Sequence, residues 1–241
     1  MAANIGDINA LVVRKIQDKG SFLSGADIDK LIDEAVKEYS RHRPQVVVED
    51  ESGDGGFDYR LTGPGAILAS WEKGFSDVRK LVYPVDDTSA TEAVIDEDAF
   101  AVITKVVAGA ADDYLRFLSA TPSAGETFRV FYTARHVLDA TASSLPVADD
   151  EAVANLAAAF CLEVIAARYL SARDPSLDAD VTDYRSRVDE SRRLAEKFRR
   201  AFLDHMGIPE AGGPPGAGAI VDTDLGFQWR RPFLFHGKRN R

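Results

Sequence analysis

The sequence predicts an α+β chain that is mainly α: a helical bundle with a long C-terminal helical hairpin, an inserted antiparallel β module, and an extended C-terminal arm. Three observations predict it. Apolar residues recur at helical spacing near both ends of the chain, over 5–43 and again over 149–206. Between them the period falls to two, in short β-branched and aromatic runs separated by Gly, Pro and Asp. After Met206 both periods vanish into Gly207-Ile208-Pro209 and Gly212-Gly213-Pro214-Pro215-Gly216, a linker with stiff proline joints. The resulting boundaries are an N-terminal helical hairpin at 1–43, a β module at 44–135, long helices at 136–206 that complete the helical core, and a linker with a docking arm at 207–241.

Each element has its own warrant. Ile5, Ile8, Leu11, Val12 and Ile16 line one face of a first helix that Gly20 ends. Ser24 caps a second, whose stripe is Ile28, Leu31, Ile32, Ala35 and Tyr39 and whose stop is Pro44. Arg41, His42 and Arg43 put positive charge at its negative end. Gln45 to Glu49 and Phe57 to Leu61, joined by Ser52-Gly53-Asp54-Gly55-Gly56, predict a β-hairpin. A further strand is expected from Val78 to Val85, while 93–107 suits strand or helix. The clearest hairpin joins Tyr114–Leu118 to Thr127–Tyr132, with Phe128, Val130 and Tyr132 on one face.

Asp149, Asp150 and Glu151 suit a helix N-terminus. The Ala-rich run from Val153 to Leu170 is apolar nearly all round, so it belongs in the middle of the helices. Past an Asp174-Pro175-Ser176 turn, a final helix runs from about Asp178 to His205. Val181, Tyr184, Val188, Ala195, Phe198 and Phe202 form its coiled-coil-like seam. Of these, Tyr184, Val188, Phe198 and Phe202 are the candidate ring-packing residues.

Composition and charge exclude several functions. With 241 residues, 45% hydrophobic and 28% charged, the chain can bury a core, and whole-chain disorder is excluded. The formal charge is -10. Residues 207–241 hold five bases against three acids, which leaves -12 on residues 1–206. An acidic body argues against a coat of bound nucleic acid. No basic-then-apolar leader opens the chain and no apolar run approaches the ~18 residues of a membrane span, so no membrane partner is expected.

Enzyme chemistry is not visible either. His42, His136, His205 and His236 are scattered, with no i,i+4 pair that could start a metal site. Cys161 lies inside the apolar helix, as a structural thiol would. No P-loop, dinucleotide fingerprint or nucleophile elbow is present. Asp96-Glu97-Asp98 and Asp112-Asp113 read as solvated charge at loop edges. No catalytic residue, metal or cofactor is expected.

The arm is different. Phe227, Trp229, Arg230, Arg231, Phe233 and Phe235 crowd into nine residues, and aromatics with Arg dominate interface hot spots. They predict a docking peptide that orders on its partner.

Taken together, Leu81-Val82-Tyr83-Pro84-Val85, the pair Leu115–Leu118 and Phe128–Ala134, and the helical stretch from Ala152 through Phe202 with Ala166-Ala167-Arg168-Tyr169-Leu170 resemble the head–tail connector (adaptor, or neck) proteins of tailed bacteriophages. The resemblance covers residues 4–206 in outline, through element order and without a catalytic motif. It implies a non-enzymatic structural protein of the virion, assembled in the host cytoplasm and placed at the head–tail interface. There a homo-oligomeric, dodecameric ring beneath the portal protein extends the DNA channel and offers a docking face to tail or neck proteins. The C-terminal arm would reach the portal, and genomic DNA would pass without sequence-specific binding. Other readings stay open at this point: another neck or tail-completion protein, a cytosolic helical interaction module whose arm recruits a partner and, last, an enzyme using the acidic clusters.

Overall fold

The computed structural model describes residues 3–18, 22–86, 88, 92–107, 109–171 and 181–208; at 107, 171 and 181–186 it describes the backbone alone. Two capping boxes open the chain. The Asp7 N–H donates to Asn4 Oδ1 at 3.0 Å while the Asn4 N–H donates to Asp7 Oδ2 at 3.1 Å, and α1 (Ile5–Ile16) follows. Ser24 and Asp27 repeat the device for α2 (Gly25–His42). Such caps satisfy donors that a helix start otherwise leaves unpaired, for about 1 kcal/mol each. The first helix stops at Gln17, left-handed at φ 45°, short of the predicted Gly20. The second stops ahead of Pro44, where the Arg43 N–H reaches the Tyr39 carbonyl at 2.9 Å.

Two further helices among the described residues are α3 (Asp150–Ser171) and α4 (Val181–Met206). α3 packs against α1, α2 and α4. Its small side chains, Ala154, Ala157, Ala158, Ala159 and Cys161, are all fully buried and let the neighbours approach closely. Against the expectation that no apolar run approaches a membrane span, the segment Val147–Leu170 is long and apolar enough to cross a membrane by length and composition, and more than half of its most apolar stretch is buried within the chain.

Among the described residues, seven strands lie between α2 and α3: β1 (Gln45–Ser52), β2 (Asp58–Arg60), β3 (Val78–Val82), β4 (Val94–Ile95), β5 (Phe100–Val107), β6 (Ala110–Phe117) and β7 (Thr127–Ala134). They form two antiparallel sheets, one in the order β1-β7-β3-β4 and the other β2-β6-β5. Their inner faces meet in one apolar cluster. Phe128, Val130 and Tyr132 of the first sheet and Tyr59, Leu115 and Phe117 of the second are all buried in it. The Phe128 ring centroid lies 4.8 Å from that of Tyr59, with the rings tilted, and 5.3 Å from that of Phe117 in the edge-on geometry that aromatic quadrupoles favour.

This overturns the predicted fold class. The chain is α+β, with four α-helices and two antiparallel sheets among the described residues, and a mainly-α bundle built on a C-terminal helical hairpin is not what it forms. The reason is a second hydrophobic core. The strands close over their own apolar cluster, separate from the one the helices share, instead of decorating a helical scaffold. The predicted Asp174-Pro175-Ser176 turn lies outside the described residues.

Both predicted hairpins are also corrected. β1 pairs with β7 in register Val47↔Tyr132, and β2 pairs with β6 in register Tyr59↔Leu115, so the first hairpin does not form. β6 and β7 belong to different sheets, so the second does not form either. The predicted face is nevertheless present, since Phe128, Val130 and Tyr132 are each fully buried. The ambiguous stretch 93–107 resolves as β4, a 3-10 turn at Glu97–Ala99, and β5.

Candidate functional site

A buried polar cluster sits where the end of α2, the start of α3 and the end of α4 converge. At its centre is Asp149, 3% exposed, in the short 3-10 turn that leads into α3. Tyr39 lies on the buried stripe of α2 and donates its hydroxyl to Asp149 Oδ2 at 2.5 Å. Arg43, one residue past that helix, sets Nη1 3.2 Å from both carboxylate oxygens. His205, in the last turn of α4, brings Nε2 to 2.5 Å from Oδ1.

Burial alone would push the Asp149 carboxyl up. Hydrogen bonds from His205 and Tyr39 and the charge of Arg43 outweigh it, holding the group below its ordinary 3.8. Tyr39 is driven the other way, well above the ordinary phenol range, by its own burial and then by the carboxylate it faces. A supporting layer comes from the segment after β7. The His136 ring lies 5.2 Å from that of Tyr39, with Nε2 3.0 Å from the Arg43 carbonyl and Nδ1 2.9 Å from the Ser144 carbonyl. Ser40 Oγ accepts from the His136 N–H at 3.0 Å and donates to the Val36 carbonyl at 2.7 Å.

An Asp–His pair invites a catalytic reading, but here the carboxylate is shared by three donors that each fix a helix end. The arrangement ties α2, α3 and α4 together and links them to the end of the β module. Among the described residues no three metal-ligating side chains converge. No protein-family model matches the chain, and no curated protein matches it.

The residues singled out by the sequence fare differently. Phe227, Trp229, Arg230, Arg231, Phe233 and Phe235 lie outside the described residues, as does the side chain of Tyr184. Val188 and Phe202 are 5% and 2% exposed, inside the chain's own core. Phe198 is half-buried beneath Lys15, whose ammonium stands 5.6 Å from the ring centre. The described part of the α4 seam therefore faces this chain's own helices. Cys161 is buried as expected, and burial pushes its thiol up to about 12.

The acidic runs divide. Asp96, Glu97 and Asp98 are exposed, as predicted. Asp112 and Asp113 are not solvated: they are 7% and 6% exposed on β6. Asp112 is bound by Arg60, and Asp113 accepts from Thr104 Oγ1 at 2.9 Å. Beside them Asp58 takes a two-pronged bond from Arg116, at 2.7 and 3.0 Å, and a further one from Lys105. Those bonds, Arg116 foremost, hold Asp58 at about 2. Sequence reasoning missed Tyr39, Arg43, His136 and His205 as partners of one carboxylate. Tyr39 and Asp149 stand 110 positions apart, so no spacing rule joins them.

Proposed function

We propose that this chain is a structural, non-enzymatic protein of a tailed-bacteriophage virion: a head–tail connector that assembles as a dodecameric ring below the portal. The ring extends the DNA channel and presents a face to tail or neck proteins. Phe227, Trp229, Arg230, Arg231, Phe233 and Phe235 act as the latch to the portal. The observation that carries this reading is the order of elements along the chain: helices, a β module, long helices, then a Gly/Pro linker and a basic aromatic arm. Two further features support it. The helix ends are pinned by a buried carboxylate, which suits a rigid load-bearing body better than a site that must admit substrate. An acidic body would let DNA phosphate slide instead of gripping it.

Electron microscopy of the purified chain mixed with portal tests the proposal. The expected result is a ring seated on the portal, lost when the chain is cut after Met206. Failure of the full chain to attach, or attachment unaffected by the truncation, would overturn the role given to the arm.

A further inference from the structure

We propose that β5 is a self-pairing edge, through which two copies of this chain join their three-stranded sheets into one continuous antiparallel sheet. The inference is independent of the ring reading, because a two-fold contact closes on itself and uses none of the helical surface.

β5 is the outer strand of the order β2-β6-β5 and runs for eight residues. The Leu118 N–H donates to the Ala99 carbonyl at 2.8 Å, in line with the register Phe100↔Phe117, so odd-numbered residues of β5 turn their main chain toward β6. Phe117 in turn sends its N–H the other way, to the Phe57 carbonyl at 2.9 Å. Val102, Thr104 and Val106 therefore aim their N–H and C=O groups at the open edge. No backbone partner meets them there among the described residues.

Val102 and Val106 are 42% and 74% exposed, and Thr104 between them is exposed as well. Val102 stands opposite the fully buried Leu115, so it points toward the core side of the sheet yet overhangs the core's rim. Natural edges are commonly guarded by several charged side chains, by Pro or by a bulge. The one charged residue of β5 is Lys105, and its ammonium is turned inward, bound by Asp58 and 4.9 Å from the Tyr114 ring centre.

A second copy fits this edge in one favourable way. With a two-fold axis through Thr104, Val102 lies opposite the other copy's Val106, and Thr104 lies opposite its counterpart. Every outward N–H and C=O of the three residues is then satisfied in closely spaced pairs, and the exposed valines cover one another. Charge selects the antiparallel sense. The exposed run Asp96-Glu97-Asp98 immediately precedes β5. Parallel pairing would set two such runs side by side. Antiparallel pairing sends each run to the end of the other copy's sheet where Lys73 is anchored on the Ala111 carbonyl at 2.5 Å.

Sedimentation equilibrium and amide hydrogen exchange on the full chain test this. The expected result is a dimer in which the amides of Val102, Thr104 and Val106 are protected. Val106→Lys should raise its dissociation constant by about tenfold or more. Thr104→Pro, which removes an outward N–H and leaves the β5–β6 bonds intact, should do the same, and both should speed exchange at the remaining edge amides. Wild-type amides at 102, 104 and 106 that exchange as freely as an open edge overturn the proposal whatever the variants do. So does an oligomer indifferent to both substitutions.

Discussion

Asp149 shows how one residue can carry more than its sequence context announces. Read along the chain, it is one of three acids at a helix start; in space it is the shared acceptor of Tyr39, Arg43 and His205. Asp149→Ala leaves the buried Tyr39 hydroxyl without its partner, and the expected cost is about 3 kcal/mol, or about 6–12 °C in Tm for a body of this size. Tyr39→Phe keeps the carboxylate's other bonds and should cost about 1 kcal/mol. Thermal melts of the two variants check the ranking. The pH dependence has a definite sign. Because the folded state holds the carboxyl below 3.8, its stabilisation is present above that value and is lost as pH falls from there through the lower folded-state value. The stability gap between wild type and Asp149→Asn should therefore narrow from about pH 5 downward, and a gap that stays constant would show that the charge of Asp149 contributes nothing. Cys161 makes the opposite case, since its apolar surroundings were readable directly from the helix it sits in. With its thiol pushed up to about 12, it should resist thiol reagents in the native chain and react only on unfolding.

At the scale of elements, what could be read depended on how local the cause is. The caps of α1 and α2 need residues three apart, and Ser24 is visible as one before any fold is known. Ser24→Ala should cost about 1 kcal/mol, measured by denaturant unfolding. Strand faces are nearly as local, because alternation alone places Phe128, Val130 and Tyr132 together. Strand partners are not. β6 and β7 are neighbours in sequence, but the chain between them crosses from one sheet to the other, and only burial of Phe117 against Phe128 reveals that they face across the core. Sequence neighbours pair or adjoin about two-thirds of the time, whereas among the described residues four of the six successive strand pairs, β1/β2, β2/β3, β4/β5 and β6/β7, lie in different sheets. Phe128→Ala removes a ring that touches both sheets and should cost about 3–5 kcal/mol. Because that ring belongs to the β cluster alone, hydrogen exchange in the variant should rise in the strands before it rises in α3.

For the molecule as a whole, the separation of charge makes the last prediction. Residues 1–206 carry -12, and the five bases of the terminal 35 residues are confined to 230–241. Binding to DNA depends on releasing counterions from neutralised phosphates, so affinity follows local basic density and falls steeply with salt. The paired cations of the β module add little to it, because Arg60 and Arg116 are already committed to Asp112 and Asp58. Gel-shift measurements at low ionic strength should therefore show at most weak, sequence-independent retention of duplex DNA by the full chain. That retention should vanish at about 0.15 M salt, and truncation after Met206 should abolish it at any salt. A truncated chain that still retains DNA would place a basic surface on the body, and a DNA conduit lined by that body would then hold its cargo instead of releasing it.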